Sequence, residues 1–434
     1  MMRQLRKIVI VNTADEGGGA ERVSMAVLEG FLELGLDAWL LVGHKFGNNP
    51  RVLSFHESPF FDYRPYGNPR SVRELERQRR KDLSLGLEDF NHPYSRWIDE
   101  MTGSPPDLVL CHNLHGGYFD LRVLSVLSDR MPVVLRLFDI WLQTGHCAYS
   151  LGCDQWRQGC GACPDLSIPP AIAQDESRFN LKRKQRIFKN SRLFISAESR
   201  WMLDRAKQSV LAAAALDWKH IPGGVDLATF FPGSRKDARR RLALDPDATL
   251  LLYVANQGTA NRYKDFETVR HALAALPDRP PGRGITLLVA GSNAPDEAIT
   301  PDILVRHVGY IQSRPRLADF YRAADIMIHS AFEETFGNVV AEAMACGTPV
   351  VTASGGGVLE LIDQGRTGLA VPPCEPVQLA AAIAQLLDMP AHRREMGVAA
   401  AEAARRTLDG RTMIRNLQSW CSEVHSTWHA QAAL

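Results

Sequence analysis

Glu334 and Glu342, eight residues apart, bracket the densest run of chemically capable side chains in the chain. The run reads Glu333-Glu334-Thr335-Phe336-Gly337-Asn338, then a helical stretch containing Glu342, then Gly347-Thr348-Pro349. A helix starting near Phe336 directs the amides of Gly337 and Asn338 out of its N-terminus, where the helix dipole adds about 0.3–2 kcal/mol for a bound anion. A diphosphate suits such a seat. Glu342, over a turn further on, suits two hydroxyls of a ribose, and Glu334, in the preceding loop, reaches hydroxyls of a sugar carried on that diphosphate. Taken alone, either glutamate also reads as a capping or surface residue. A second stretch that admits anions is Gly17-Gly18-Gly19-Ala20-Glu21-Arg22, where Gly18 and Gly19 lead without side chains into a helix. It is not a dinucleotide fingerprint. Arg22 stands where G-x-G-x-x-G needs glycine, and His44 and Lys45 rather than an acid follow the second strand. A plain tight turn is its other reading.

The elements that must position these residues are strand-sized apolar runs alternating with helix-period segments. In the first half they are 7–12, 37–42, 107–111, 132–137 and 192–196; in the second, 249–254, 285–290, 325–329 and 348–352. Such alternation specifies βαβ units and parallel sheets, here two doubly wound α/β domains. Val23, Val27, Phe31 and Leu34 form the apolar stripe of the first crossover helix, and Gly35 supplies its stop. The expected boundaries are an N-terminal domain over 1–221 with a Cys-rich insertion at about 144–165, a hinge at 222–235 punctuated by Pro222, Gly223, Gly224 and Pro232, a second domain over 236–410, and a C-terminal amphipathic helix over 411–434. Ligands sit outside the carboxyl ends of such strands, so the chemistry is expected where two such sheets face each other across a cleft.

Composition narrows the function classes. The chain has 434 residues, 50 Lys and Arg against 49 Asp and Glu, and 45% hydrophobic residues. That balance gives no global positive field for nucleic acid, and none is expected as a partner. No apolar run approaches the roughly 20 residues of a membrane span, and Ile8–Val11 behind Arg3, Arg6 and Lys7 is shorter than a secretory signal core. Four of the eight cysteines cluster and four (Cys111, Cys346, Cys374, Cys421) scatter, unlike a secreted disulfide framework, so a cytoplasmic home is expected. Arg178, Lys182, Arg183, Lys184, Arg186 and Lys189, interleaved with Phe179, Leu181, Ile187 and Phe188, read either as a helix lying on anionic lipid or as a solvated face. Arg70 to Lys81 reads as an exposed, salt-bridged helix.

The Glu334–Glu342 segment, E-x-F-G-x5-A-M-A-x-G-x-P-V-V, resembles the E-x7-E signature of family 4 of the retaining glycosyltransferases. Gly18-Gly19-Ala20-Glu21-Arg22, Pro222-Gly223-Gly224-Val225-Asp226, Tyr321-Ala323-Ala324-Asp325 and Gly355-Gly356 with Glu360 fall into the same pattern. The resemblance implies a GT-B fold, two Rossmann-like domains with the nucleotide sugar held mainly by the second, and a C-terminal helix returning to the first. It implies a retaining hexosyltransferase that takes a nucleotide diphosphate sugar as donor and a saccharide or lipid-linked saccharide as acceptor in polysaccharide biosynthesis. Membrane contact would be peripheral, and no catalytic metal is expected.

The residues follow from the resemblance. Glu334 is the catalytic carboxylate, and Gly18, Gly19, Thr335, Phe336, Gly337, Asn338 and Glu342 bind the donor. The family's basic pair appears as Lys264, with Asn256 where arginine is usual and Arg262 as the substitute.

Phe138-Asp139-Ile140-Trp141, then Thr144-Gly145-His146-Cys147, Cys153, Cys160, Cys163 and Pro164, looks like the H-D-x-W segment and four-cysteine pattern of the colanic-acid and exopolysaccharide branch. Asp139 is thereby a catalytic candidate. Phe138 replaces the histidine of that motif, and His112, Asn113, His115 or His146 is the candidate for the missing sugar contact. The spacing of Cys147, Cys153, Cys160 and Cys163 suits a structural zinc site of four thiolates; two disulfides or four unligated thiols are the other readings. The departures at Phe138 and Asn256 motivate the rival function, a nucleotide-sugar binding protein without catalysis. An epimerase on the same frame ranks third.

Overall fold

The computed structural model describes residues 4–57, 69–256, 258–277 and 284–432. The chain divides into two compact units, Met1–Ile221 with Ile414–Leu434, and Pro222–Met413.

The first unit is built on seven strands, β1 (Lys7–Ala14), β2 (Asp37–His44), β3 (Val52–Ser54), β4 (Leu108–Cys111), β5 (Val133–Leu137), β6 (Leu193–Ala197) and β7 (Ala215–His220). Their order is β3-β2-β1-β4-β5-β6-β7, parallel throughout. β4, β5 and β6 are buried along their whole length, as a sheet covered by helices on both faces requires. Helix Gly19–Glu33 packs Val23, Val27, Leu28 and Phe31 inward. Leu34, assigned by spacing to the same stripe, is instead 45% exposed, because the helix closes there and Gly35 turns away with φ of +83°. Helix Gly410–Ala432 buries Leu417, Trp420, Cys421 and Val424. Ile414 lies so close to Gly30 that a Cβ there would stand 2.5 Å from its Cδ1, so alanine at that crossing would force the Ile414 side chain to shift.

The second unit carries β8 (Thr249–Val254), β9 (Ile285–Ala290), β10 (Glu297–Thr300), β11 (Ile303–His307), β12 (Ile326–Glu334), β13 (Val350–Gly356) and β14 (Gly368–Val371), in the order β10-β11-β9-β8-β12-β13-β14. Only the β10–β11 hairpin is antiparallel. Apolar clusters cover both faces of the sheet, one around Leu251, Leu287, Ile328 and Ile383, the other around Leu252, Met327, Val340 and Met344.

β12 decides where the carboxylates go. It runs on to Glu334 rather than ending at His329, and its pairing with β13 shifts between Ala331 and Glu333. The extra residue, Phe332, is a bulge, which re-aims the side chains beyond it. His329 and Glu334, five apart, would fall on opposite faces of a regular strand, and the bulge returns them to one.

Candidate functional site

The strand-end site of the second unit is assembled from β12, β8 and the turns that follow β8. Lys264 sits in the 3-10 turn Arg262–Lys264, and its backbone is fixed from below. The Tyr253 hydroxyl donates to the Lys264 carbonyl at 2.7 Å, and the Ser330 hydroxyl reaches the same oxygen at 2.6 Å and that of Asp265 at 2.9 Å. Asp265, at φ of +44°, then caps helix Phe266–Ala274 by accepting from the Thr268 amide. Held in this way, the Lys264 ammonium is in direct ionic contact with Oε2 of Glu334. Arg262, the expected second cation, is exposed in the same turn.

Burial alone would raise the pKa of Glu334. The Lys264 ammonium, then His329, outweigh it and bring the group down to about 2. The carboxylate is therefore ionised and 14% exposed, within reach of a ligand.

Helix Asn338–Ala345 begins two residues later than the sequence suggests. Gly337 is its N-cap at φ of +93°, and the first amides to bond within the helix are those of Val340 and Ala341, both to the Gly337 carbonyl. The amides presented at the helix start are therefore those of Asn338 and Val339, not of Gly337 and Asn338. A Cβ on Gly337 would stand 2.6 Å from the Val358 side chain, so both its φ and its surroundings require glycine. Thr335 is half-buried, and Phe336 is buried against Gly223, where a Cβ would be 2.5 Å from the ring. Phe336 is thus core rather than an exposed binding surface. Glu342 is also buried, with Oε2 accepting from the Tyr321 hydroxyl at 3.0 Å.

The first unit gathers its candidates after β4 and β5. His115 Nε2 lies 2.7 Å from Asp139 Oδ2, while Asp139 Oδ1 accepts from the Trp141 amide at 2.8 Å. Burial would lower the pKa of His115, but the Asp139 charge and hydrogen bond prevail and raise it. The other polar candidates have structural partners. His112 is buried, bonds Ser24 at 2.6 Å, packs edge-on against Phe138 and is held neutral by desolvation. Asn113 is tied through its backbone to Asn12. His146 is buried between the Pro170 carbonyl at 3.0 Å and Cys163 Sγ at 3.2 Å.

Gly18 and Gly19 belong to this unit, and the Gly18 amide already donates to Glu21 Oε2 at 2.8 Å. A carboxylate thus fills the seat expected for a phosphate.

Cys147, Cys153, Cys160 and Cys163 line one cavity of about 20 Å³ with His146. All four are free thiols, which removes the disulfide reading. Among the described residues no group of three or more His, Cys, Asp or Glu side chains is disposed to hold a metal ion, so the zinc expectation is not supported. Burial lifts the pKa of Cys147 to about 12 and of Cys160 to about 11. Other contacts order the loop: Trp156 is buried beneath the Arg205 guanidinium at 4.5 Å, and Lys184 donates to the Trp141 and Thr144 carbonyls at 2.8 and 3.0 Å.

Lys184 also corrects the basic-helix expectation. It lies on helix Ser177–Lys189, is wholly buried and pairs with Glu88 at 2.7 Å, while Leu181 and Phe188 enter the core. Arg183 stacks over Phe90 at 4.2 Å. What the helix leaves outside is Arg178, Phe179, Lys182, Gln185, Arg186 and Lys189, without the apolar stripe that would sink into lipid.

Residues absent from the sequence expectations are His329, Tyr253, Ser330 and Thr352, which brace the Lys264–Glu334 pair from the sheet. No motif marks them; only strand register brings them together.

Comparison with known proteins bears on the second unit above all. Residues 248–389 match the family model described as Glycosyl transferases group 1. The D-inositol 3-phosphate glycosyltransferase of Nocardiopsis dassonvillei is 36% identical over 198 residues, 42% of this chain and 45% of that protein. That of Catenulispora acidiphila is 38% identical over 196 residues, with the same coverage. The chain thus spans less than half the length of these curated relatives, and their names differ from the colanic-acid and exopolysaccharide branch suggested by the cysteine pattern. Among solved structures, sucrose-phosphate synthase of Thermosynechococcus elongatus superimposes with a TM-score of 0.69 at 18% identity, covering 97% of this chain and 100% of that one. Anabaena HepE, solved with UDP and glucose, gives 0.63 at 17% identity, covering 96% and 99%. These likenesses show the GT-B fold of two Rossmann-like units, and the strand-end site built on Lys264 and Glu334 lies in the segment similar to glycosyl transferases group 1.

Proposed function

We propose that the protein is a retaining glycosyltransferase that moves a hexose from a nucleotide diphosphate sugar to a hydroxyl of a saccharide or lipid-linked saccharide. The observation that carries this reading is the Lys264–Glu334 pair at the carboxyl end of β12, beside the opening amides of helix Asn338–Ala345. A cation, an ionised carboxylate and free-facing amides at one strand end match the three demands of a nucleotide sugar: charge neutralisation for the diphosphate, hydroxyl contacts for the sugar, and hydrogen bonds for phosphate oxygens. On this reading Lys264 turns from Glu334 to the diphosphate. The bond from the anomeric carbon to the phosphate oxygen breaks, its electron pair leaves with the nucleoside diphosphate, and the acceptor oxygen bonds to the same face. The departing phosphate takes the acceptor's proton. Glu334 holds sugar hydroxyls through the oxocarbenium-like state, Asn338 and Val339 amides face the phosphate, and Glu342, braced by Tyr321, takes the ribose hydroxyls.

In the first unit the His115–Asp139 pair is the polar contact that replaces the histidine missing at Phe138, since of the three candidate histidines only its side chain combines partial exposure with a carboxylate partner. Cytoplasmic residence accords with eight free thiols. Among the described residues no helix is long and apolar enough to cross a membrane. Peripheral contact would use the exposed cations of helix Ser177–Lys189 electrostatically.

HepE was crystallised with UDP-glucose, which makes that donor the first to assay, and the name of the curated relatives makes D-inositol 3-phosphate the comparison acceptor. Purified full chain is incubated with a panel of nucleotide sugars, with release of nucleoside diphosphate and product anomeric configuration followed by NMR. Release with a retained anomeric centre is expected. Saturable nucleotide binding with no release from any donor would instead establish the non-catalytic binder.

A further inference from the structure

His329 is a buried side chain that the proposed reaction does not yet use. It lies on β12 with 2% exposure, Nδ1 is 2.9 Å from the Thr352 hydroxyl on β13, and Nε2 has no hydrogen-bond partner. That nitrogen stands 3.6 Å from Glu334 Oε2, the oxygen that Lys264 contacts. The arrangement depends on the Phe332 bulge, which puts a buried imidazole and the carboxylate on one face. We propose that His329 is a positioning residue for the transfer step: its Nε2–H becomes the hydrogen-bond partner of Glu334 when Lys264 leaves that carboxylate for the donor's diphosphate. The proposal rests on the reading of Lys264 and Glu334 given above.

The Lys264 ammonium, with three N–H donors, can turn part or all of its bonding from Glu334 to a diphosphate. If Lys264 moves and nothing replaces it, a mostly buried carboxylate is left without a partner, which is a heavy desolvation cost. His329 needs only to close about half an ångström or so to reach hydrogen-bond distance. With the Thr352 hydroxyl as donor to Nδ1, the ring hydrogen lies on Nε2, and this tautomer, which the proposal assigns, is the form that can donate to Glu334. The charged groups that act on His329 are Glu334 and Lys264, Thr352 bonds its Nδ1 from β13, and Tyr253 on β8 feels both Asp265 of the turn and Glu334. Tyr253 and Ser330 spend their hydroxyls on the Lys264 carbonyl, so His329 supplies the donor for Glu334.

The test compares H329L, which keeps bulk without the N–H, with H329Q, which restores an N–H donor, and T352V, which removes the partner that sets the tautomer. The side-chain carboxyl carbon of Glu334, assigned by its loss in E334Q, is titrated by NMR in the free protein and with UDP added, and donor hydrolysis is measured alongside. Expected are an upward move of the Glu334 midpoint in H329L, larger with UDP, and a kcat about 10- to 100-fold lower with donor KM within about 3-fold, the range for one hydrogen bond to a charged group. H329Q should return both readouts towards wild type, and T352V should move them in the same direction as H329L by less. A titration unchanged in H329L and T352V, or an H329Q defect equal to that of H329L, overturns the assignment. The carboxyl titration decides this even if wild type releases nucleoside diphosphate from no donor, a result that would sink the glycosyltransferase reading by itself.

Discussion

Both units contain a helix that starts at a glycine after a sheet strand, yet only the first has an acidic residue in its opening turn that bonds the N-cap amide. Helix Gly19–Glu33 has Gly18 as N-cap and Glu21 three residues on, and the Glu21 carboxylate closes back onto the Gly18 amide. Helix Asn338–Ala345 has Gly337 as N-cap, no acidic residue in its first turn, and Val340 at the equivalent third position. Glycines state where a backbone can approach a ligand; the third helical residue decides whether the place is already taken. The strand-end carboxylates differ in the same way. Asp139 meets a histidine, whereas Glu334 meets a lysine as well as a histidine.

The largest effect expected from this contrast is at Glu334. E334Q should lower donor turnover by about 10²–10³, the loss associated with one preorganised polar contact, while D139N, in the other unit, should lower it less; equal losses would erase the distinction. K264A should weaken nucleoside diphosphate binding about 10- to 100-fold, as for loss of a hydrogen bond to a charged group, measured by calorimetry.

Stability against pH separates the units by sign. Glu334 is held at about 2 against an ordinary 4.5, so its pairing stabilises the fold above about pH 4.5 and is lost as pH falls towards 2. His115 is raised above its ordinary 6.5, so its pairing is fully present below that value and is lost as pH rises through the folded-state pKa. Melting temperature should therefore fall less steeply on acidification in E334Q than in wild type, and less steeply on alkalinisation in H115Q. Parallel curves would contradict the assignment. The smallest effect belongs to Glu21. E21A removes the hydrogen bond from the Gly18 amide to the Glu21 carboxylate, costing about 1 kcal/mol or some 2–4 °C of melting temperature, and should leave nucleoside diphosphate affinity unchanged.

Much of the frame was legible because fully buried parallel strands are near-continuous apolar runs; 249–254 and 285–290 coincide with β8 and β9. β7 was not, since Asp217 and Lys219 interrupt it on an exposed edge of the sheet. Lys264 and Glu334 could be named from sequence, but their mutual contact could not. It depends on Tyr253 and Ser330 holding one carbonyl and on a bulge that changes the face of the final residues. Lys184 misled for a related reason: in a basic helical stretch nothing local tells which lysine turns inward to Glu88, 96 residues away. The cysteine spacing likewise suited a metal, yet spacing does not fix how thiols converge, and among the described residues they rim a small cavity without a grouping disposed to hold an ion.

The most direct test of the central claim is amide hydrogen exchange of the full chain with and without UDP. Slowed exchange is expected in peptides covering 335–342, where Asn338 and Val339 open their helix, and no change over 16–23, where Glu21 already occupies the Gly18 amide. Protection over 16–23 with none over 335–342 would contradict that claim.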